Sequence, residues 1–205
     1  MPVTANKVKY GLKNVHYAVL SESAAGVISY ATPVPMPGAI SINMNPSVAR
    51  KMLAADDSEY WTADITQNYS GDLNMALIPD SFRADCLGEL TDADSGVKYE
   101  TSQPVMSRFA LLFEFDGDAH KRRHVLYNCS ASKPAVASQT VSPDDGPEPS
   151  TESVTLTARP RKDTLVKAWA TPDAAITTGT GGEAVTTNVY DSWFTSVFVP
   201  SEFAA

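Results

Sequence analysis

The stretch VMSRFALLFEFDGDAHKRRHVLYNCSA, from Val105 to Ala131, decides the fold of this chain. Its first half alternates, so that four large apolar side chains point to one side: Phe109, Leu111, Phe113 and Phe115. Period-two alternation rich in aromatic residues predicts a β-strand. Asp116-Gly117-Asp118 predicts a turn, and the residues from His124 to Cys129 return as a second strand. Since the apolar face of this hairpin needs a covering layer, we expect a mainly β fold, a β-sandwich or barrel of antiparallel strands.

Composition and charge limit the classes of protein to which this chain can belong. The chain has 205 residues and 43% hydrophobic residues, which supports one large domain, or one domain with arms. No apolar run approaches the roughly 20 residues of a membrane span, and the N-terminus shows no signal-peptide pattern, so we expect cytoplasmic synthesis. For such a chain we expect Cys86 and Cys129 to be buried thiols rather than a disulfide. The formal net charge of −8 argues against tight binding to a nucleic-acid backbone.

The pattern along the chain predicts three parts. Residues 1–11 form an N-terminal arm, residues 12–171 form the β-sandwich domain, and residues 172–205 form a flexible segment that ends in an apolar C-terminal arm. Within the domain, residues 132–151 contain four prolines and form a long polar loop, which is either functional or disordered.

One short helix is expected to flank the strands. Pro79-Asp80-Ser81 predicts its start, because Asp and Ser can cap a helix and Pro is tolerated in the first turn. Gly88 predicts its end.

Other segments are predicted from weaker patterns. Residues 47–58 are expected to form one or two helical turns or a mobile loop, after a strand that Pro46 ends. Residues 69–71 are expected to turn the chain. Alternation places Trp61, Ile65 and Trp169 in core strands, where aromatic residues usually pack.

No arrangement of residues predicts catalysis. A nucleophile with a nearby base is absent from the sequence pattern, and the histidines His120 and His124 flank a basic run beside a turn. The acidic and glycine-rich segments lack the spacing of a calcium loop or a phosphate loop. We therefore expect no enzyme activity, no cofactor and no metal.

The remaining features favour self-assembly. Exposed strand edges invite pairing with another chain, and head-to-tail contacts between copies generate rings or filaments. Lys121, Arg122 and Arg123 at the hairpin turn are either solvated charges or ion-pair partners for an acidic neighbouring subunit. The candidate subunit-interface residues are Asp116, Asp118, Lys121, Arg122, Arg123, Trp193, Phe194 and Phe198.

Several segments, in order, carry a resemblance to one family. They are Tyr10–Ala18, Pro37–Ile42, Tyr60–Asp64, Tyr69–Phe82, Leu87–Glu89, Phe109–Asp118, His124–Cys129 and Leu156–Pro160. Together they resemble the major tail protein, or tail tube protein, of long-tailed non-contractile bacteriophages. The resemblance covers residues 8–170.

This resemblance implies both a fold and a function. It implies a β-sandwich flanked by a helix, assembled into hexameric rings that stack into a hollow tube. The tube encloses the tape-measure protein and later conducts the genome, and DNA passes through it without specific binding. The implied partners are further copies of the chain, the tape-measure protein, the tail terminator and distal tail proteins, and a tail assembly chaperone, with no membrane. The implied location is the virion tail, assembled in the host cytoplasm.

Two alternatives stay open. One is the tube protein of a contractile injection or type VI secretion system. The other is a stand-alone β-sandwich binding module, in which Trp61, Trp169 and Trp193 would stack on sugars. If the chain assembles, we expect deletion of residues 189–205 or of the 132–151 loop to impair polymerisation more than folding.

Overall fold

The computed structural model describes residues 8–138, 140, 146, 149–178 and 185–203. Strands make up 49% of it and helices 6%, so the predicted mainly β fold with one α-helix is confirmed. The strands are β1 (Leu12–Glu22), β2 (Ile28–Tyr30), β3 (Val34–Pro35), β4 (Ala39–Ala55), β5 (Ser58–Met75), β6 (Leu90–Thr91), β7 (Lys98–Tyr99), β8 (Phe109–Phe115), β9 (Arg123–Ala131), β10 (Glu152–Ala158), β11 (Lys167–Ala170), β12 (Ala175–Thr178) and β13 (Val185–Asn188). The α-helix, α1, spans Asp80–Leu87, and a 3-10 helix spans Ser201–Phe203.

One antiparallel sheet of nine strands organises the chain. Its main path runs β2-β1-β8-β9-β10-β5-β4, and β3 and β11 add to β1 and β9. The predicted hairpin, β8 with β9, lies in the middle of this path. Two small hairpins, β6-β7 and β12-β13, stand apart from the large sheet.

A first apolar cluster lies on one face of the large sheet. Alternate residues of β8, among them Phe109 and Leu111, point into it and are fully buried. The helix α1 covers this cluster, because the ring of Phe82 packs edge-to-face against that of Phe109 at 5.2 Å. Cys86 and Cys129 belong to the same cluster as free, buried thiols, as predicted.

The helix begins and ends where the sequence indicates. Pro79 precedes it in extended conformation, and Gly88 ends it in the left-handed region with φ 74°. No side chain caps its first turn, so the expected Asp or Ser cap is not made. Arg83 forms an ion pair with Glu89, just after the helix, at 3.1 Å. A second ion pair, to Glu152 of β10 at 2.8 Å, links the helix to the sheet.

A second apolar cluster lies on the opposite face of β8 and β9, and the end of the chain covers it. Trp193, in the C-terminal segment of residues 189–203, packs on this face, and only 1% of the residue is exposed. The indole Nε1 donates a hydrogen bond to the carbonyl of His124 at 3.3 Å. The hydroxyl of Tyr127 in β9 donates to the carbonyl of Phe198 at 2.8 Å.

The expected apolar C-terminal arm is therefore part of the chain's own core. The large apolar residues of β8 and β9 project to both faces of the sheet, and each face needs its own cover. The segment before it, expected to be flexible, contains the β12-β13 hairpin. Residues 179–184 lie outside the described residues, and the 132–151 loop is described only in part.

Two predictions at the other end of the sheet are wrong. The strand β4 continues through Pro46 to Ala55, so residues 47–55 form neither helix nor loop. Pro is tolerated there because β4 ends the sheet and its outer edge needs no donor. Residues 69–71 lie within β5 rather than in a turn. A β-carbon on Gly71 would stand 2.7 Å from the carbonyl carbon of Asn43, so this glycine permits close strand approach.

Candidate subunit interface

The strands β4 and β5 project beyond the rest of the sheet as a two-stranded ribbon, residues 47–68. Strand β10 pairs with β5 only between Tyr69 and Met75, so no third strand of the described residues lies beside the ribbon. Its paired residues run from Ser47–Asn68 to Ala55–Ser58. At about 3.3 Å per residue the ribbon is about 25–30 Å long.

The two-residue turn at the far end of the ribbon is acidic. Asp56 and Asp57 both have positive φ, at 51° and 56°, as the two central residues of a type I′ hairpin turn require. Asp tolerates this conformation better than most residues. The hydroxyl of Ser58 donates a hydrogen bond to the carbonyl of Ala55 at 3.1 Å and closes the turn.

One face of the ribbon is almost entirely apolar. Residues paired across two strands share a face, and here the pairs are Ala49–Ile65, Lys51–Ala63 and Leu53–Trp61. The side chains of Leu53, Trp61 and Ile65 are exposed to 56%, 54% and 60%. The expectation that Trp61 and Ile65 lie in the core is therefore wrong, because no layer of the described chain covers this face.

The opposite face holds an ion pair that matches the strand register. Arg50 lies opposite Asp64, and its guanidinium donates to both carboxylate oxygens at 2.8 and 2.9 Å. The hydrogen bond from Arg50 lowers the pKa of the Asp64 carboxyl. Both groups are exposed, so the pair contributes little to stability.

The ribbon leaves an apolar face and two strand edges uncovered within the described structure. A two-stranded hairpin alone is marginally stable in water. Its outer strand edges carry unpaired backbone groups, and its apolar face is the kind of patch that marks an interaction site.

The turn of the central hairpin, by contrast, is largely occupied by internal contacts. The carboxylate of Asp118 accepts hydrogen bonds from the backbone N–H groups of His120 at 3.1 Å and Arg122 at 3.3 Å. Burial acts to raise the pKa of Asp118, but these donors lower it overall. Arg122 also forms an ion pair with Asp118 at 3.2 Å. Both residues therefore stabilise the turn itself.

The neighbouring charges are also mostly paired. Arg123 forms an ion pair with Glu114 at 2.8 Å, and its guanidinium lies 3.8 Å from the ring centre of Tyr190. Asp116 pairs with Lys13. Lys121 is exposed and has no ion pair within the described part of the chain, unlike the other four predicted charged residues.

The three predicted aromatic interface residues contact their own chain. Trp193 is buried, and Phe198 stacks on it with ring centres 6.0 Å apart. Phe194 stacks on His16 at 4.8 Å. In the single chain, Trp193 has no free surface for a second copy.

A groove lies at the root of the ribbon, and we call it the root groove. Its volume is about 280 Å³. It is lined by Lys9, Ile42, Asn43, Met44, Tyr69, Phe113, Phe115, His124, Val125, Leu126, Lys167 and Ala168. The ammonium group of Lys9 lies 4.9 Å from the ring centre of Phe115, and that of Lys167 lies 4.6 Å from that of Tyr69.

His124 belongs to the wall of this groove. Its ring stacks on that of Phe113, with centres 5.2 Å apart and planes 14° apart. Burial lowers the pKa of His124 to about 4, and the charges of Arg122, Lys9 and Lys167 lower it further against the opposing effect of Asp118. The imidazole is therefore neutral at pH 7.

Trp169 was expected in the core and lies instead on the surface. Its side chain in β11 is 54% exposed, and the guanidinium of Arg122 lies 5.6 Å from its ring centre. The strand β11 pairs only with β9, so its other edge is free of strands among the described residues.

Comparison of the sequence with protein-family models and curated proteins found no relative. No protein-family model matches the chain, and no curated protein matches it with significant similarity. Within the described residues, no group of three or more His, Cys, Asp or Glu side chains could hold a metal ion. No helix in that part of the chain has the length and apolar character to span a membrane.

Sequence reasoning missed the ribbon and the root groove. The dipeptide Asp56-Asp57, followed by the alternating residues 61–65, is part of a hairpin pattern that could have revealed the ribbon. The groove combines six separate segments of the chain, and no local pattern brings them together.

Proposed function

We propose that this chain is a structural subunit that assembles with copies of itself into the tail tube of a bacteriophage. The single observation that carries the proposal is the ribbon, whose apolar face and strand edges have no partner within the described chain. Burying that face against another copy removes apolar surface from water and supplies the missing strand neighbours.

The contact between copies can generate a closed ring. The ribbon projects from the large sheet, and in this proposal a neighbour receives it on a different patch of its surface. Contacts between two different patches are heterologous, and they generate rings where the rotation closes and filaments where it does not. Stacked rings of this kind form a tube.

The resemblance supplies the specific identity within this proposal. The segments Tyr60–Asp64 and Tyr69–Phe82, which resemble the tail tube protein, fall on β5 and α1. On this basis the rings are hexameric, and the tube encloses a tape-measure protein and conducts DNA into the host. Tail terminator, distal tail and assembly chaperone proteins are the expected partners. A net charge of −8 per chain fits a conduit, since an acidic protein repels the phosphates that pass.

The first experiment measures self-association and asks whether the ribbon causes it. Size-exclusion chromatography with light scattering and negative-stain electron microscopy are expected to show rings or tubes at high protein concentration. Replacing Leu53, Trp61 and Ile65 by serine removes the apolar face without touching the core. We expect this variant to stay folded and monomeric.

A matched control replaces exposed apolar residues elsewhere. The variant with Val97→Ser and Val105→Ser also loses apolar surface, but outside the ribbon, and it should assemble as the unmodified chain does. A strictly monomeric unmodified protein, or normal tubes from the ribbon variant, would contradict the proposal.

A binding module is the second candidate, and one observation favours it. Trp61 and Trp169 are exposed on the surface, where indole rings are available to stack on sugars. Saturable glycan binding by a monomer, lost on replacing both residues by alanine, would support this function. Glycan binding that is absent while rings form would reject it.

A further inference from the structure

We propose that the acidic turn of the ribbon, Asp56, Asp57 and Glu59, docks into the root groove of a second copy of the chain. This inference rests on the proposed self-assembly and names the two surfaces that meet. It assigns a receptor to the ribbon and gives the contact a direction from one copy to the next.

The charges that line the root groove favour a negatively charged occupant. Its described lining includes two lysines, Lys9 and Lys167, but no carboxylate. Neither lysine has an ion pair within the described part of the chain, and each ammonium group lies instead over an aromatic ring, of Phe115 or Tyr69. Complementary charges across an interface steer the encounter of two copies and fix their register.

The turn supplies the matching charges. The carboxylates of Asp56 and Asp57 have no hydrogen-bond or ion-pair partner among the described side chains, and that of Glu59 accepts only from the hydroxyl of Thr62. Three like charges on neighbouring residues repel one another, and two lysines placed beside them reduce that cost.

The ribbon cannot fill the groove of its own chain. Asn43, Met44 and Tyr69 at the root of the ribbon line the groove, whereas the turn lies at the opposite end. The pairing from root to turn holds the two about 25–30 Å apart. A second copy must therefore supply the turn, and the same contact can repeat around a ring.

Shape and polarity agree with such an occupant. The lining of the groove also includes apolar side chains, among them Met44, Phe113 and Leu126. Tyr60 follows directly on the acidic residues and is 73% exposed. Its ring is an apolar group of the size that a cavity of about 280 Å³ accommodates.

Cysteine cross-linking between two different variants tests this contact. One protein carries Ser58→Cys beside the turn, and the other carries Asn43→Cys in the groove, which keeps both groove lysines. The native thiols of Cys86 and Cys129 are buried, so the introduced thiols are the reactive ones. Mixing the two variants before assembly under mild oxidation should yield a disulfide-linked dimer.

The control mixture pairs Ser58→Cys with Lys162→Cys, an exposed lysine outside the groove. We expect several-fold more covalent dimer from the first mixture. Rings that form without this excess would overturn the docking and leave the proposed function intact. Failure of every variant and of the unmodified chain to associate would overturn both.

Charge removal gives a second readout that needs no cross-link. The double change Asp56→Asn and Asp57→Asn keeps residues that tolerate positive φ and should weaken association about tenfold. The control Asp94→Asn with Asp191→Asn removes the same charge from exposed sites elsewhere and should leave association unchanged. Equal effects of the two variants would show that net charge alone matters and would overturn the docking.

Discussion

At the scale of single residues, His124 occupies the most perturbed site in the root groove. Its ring lies against those of Phe113 and Phe115, and three cationic side chains lie near enough to disfavour its protonation. Burial is the largest cause of the lowered pKa, which is about 4. A histidine in the unfolded chain has a pKa of about 6.5.

This difference predicts a pH-dependent stability. Because the folded pKa lies below the unfolded one, the unfolded chain binds the proton first as the pH falls. The free energy of unfolding should therefore fall as the pH is lowered from 6.5 towards 4, by an amount that His124→Phe abolishes. Urea unfolding of both proteins at several pH values, at concentrations where the chain is monomeric, measures the difference.

The control for this measurement is His120→Phe, which removes an exposed histidine directly before the run of basic residues. This variant should keep the pH dependence of the unmodified chain. If His124→Phe and His120→Phe have the same pH profile, the burial of His124 does not set its pKa.

Two tryptophans show what alternation in a sequence can and cannot indicate. It correctly predicts that Trp61 and Trp169 lie in strands whose side chains alternate between two faces. It does not tell whether a second layer covers the face, because the covering layer comes from distant residues. Both side chains are exposed, although their strands match the pattern of buried ones.

At the scale of elements, local patterns predicted the parts that local chemistry determines. The hairpin β8-β9, the strand β10 and the helix α1 follow from alternation and from Pro and Gly at the helix ends. The ribbon was missed because its charged residues interrupt the hydrophobic pattern of β4. Its register depends instead on pairing with β5, including Arg50 with Asp64.

The C-terminal segment changes one expectation about deletions. Removal of residues 189–205 was expected to affect polymerisation more than folding. Since Trp193 and its neighbours cover Tyr127 and the rest of the second cluster, this deletion should primarily destabilise the fold. The corresponding expectation for the 132–151 loop stays a prediction.

A comparison of two Trp→Ala changes tests the role of this segment. Trp193→Ala opens a cavity under a fully buried ring and should lower the free energy of unfolding by about 3–5 kcal/mol. Trp169→Ala removes an exposed ring and should lower it by about 1 kcal/mol or less. Chemical unfolding followed by circular dichroism measures both, and equal losses would contradict the assigned cover.

At the scale of the whole molecule, the structure contains regions of different stability. The large sheet is covered on both faces of β8 and β9, whereas the ribbon is two-stranded and open to water. Backbone amides in such thinly packed regions exchange through local opening well below the global unfolding free energy.

Hydrogen exchange should therefore detect assembly through the ribbon. In the monomer, amides of residues 47–66 should exchange much faster than those of β8 and β9. After rings or tubes form, the ribbon amides should become protected while the β8 and β9 amides change little. Ribbon amides that exchange equally fast in both states would place the subunit contact elsewhere.

The order of the paired strands along the chain also has a consequence for the timing of folding. The ribbon strands are complete at Met75, but β10, which anchors β5 to the sheet, is synthesised only at residues 152–158. Hairpins form within microseconds, and pairings between distant segments form much later because closing a long loop costs entropy. In a nascent chain the apolar residues of the ribbon therefore lack this anchor while residues 76–151 are synthesised. The segment most able to join another copy is thus synthesised well before the strand that holds it in place.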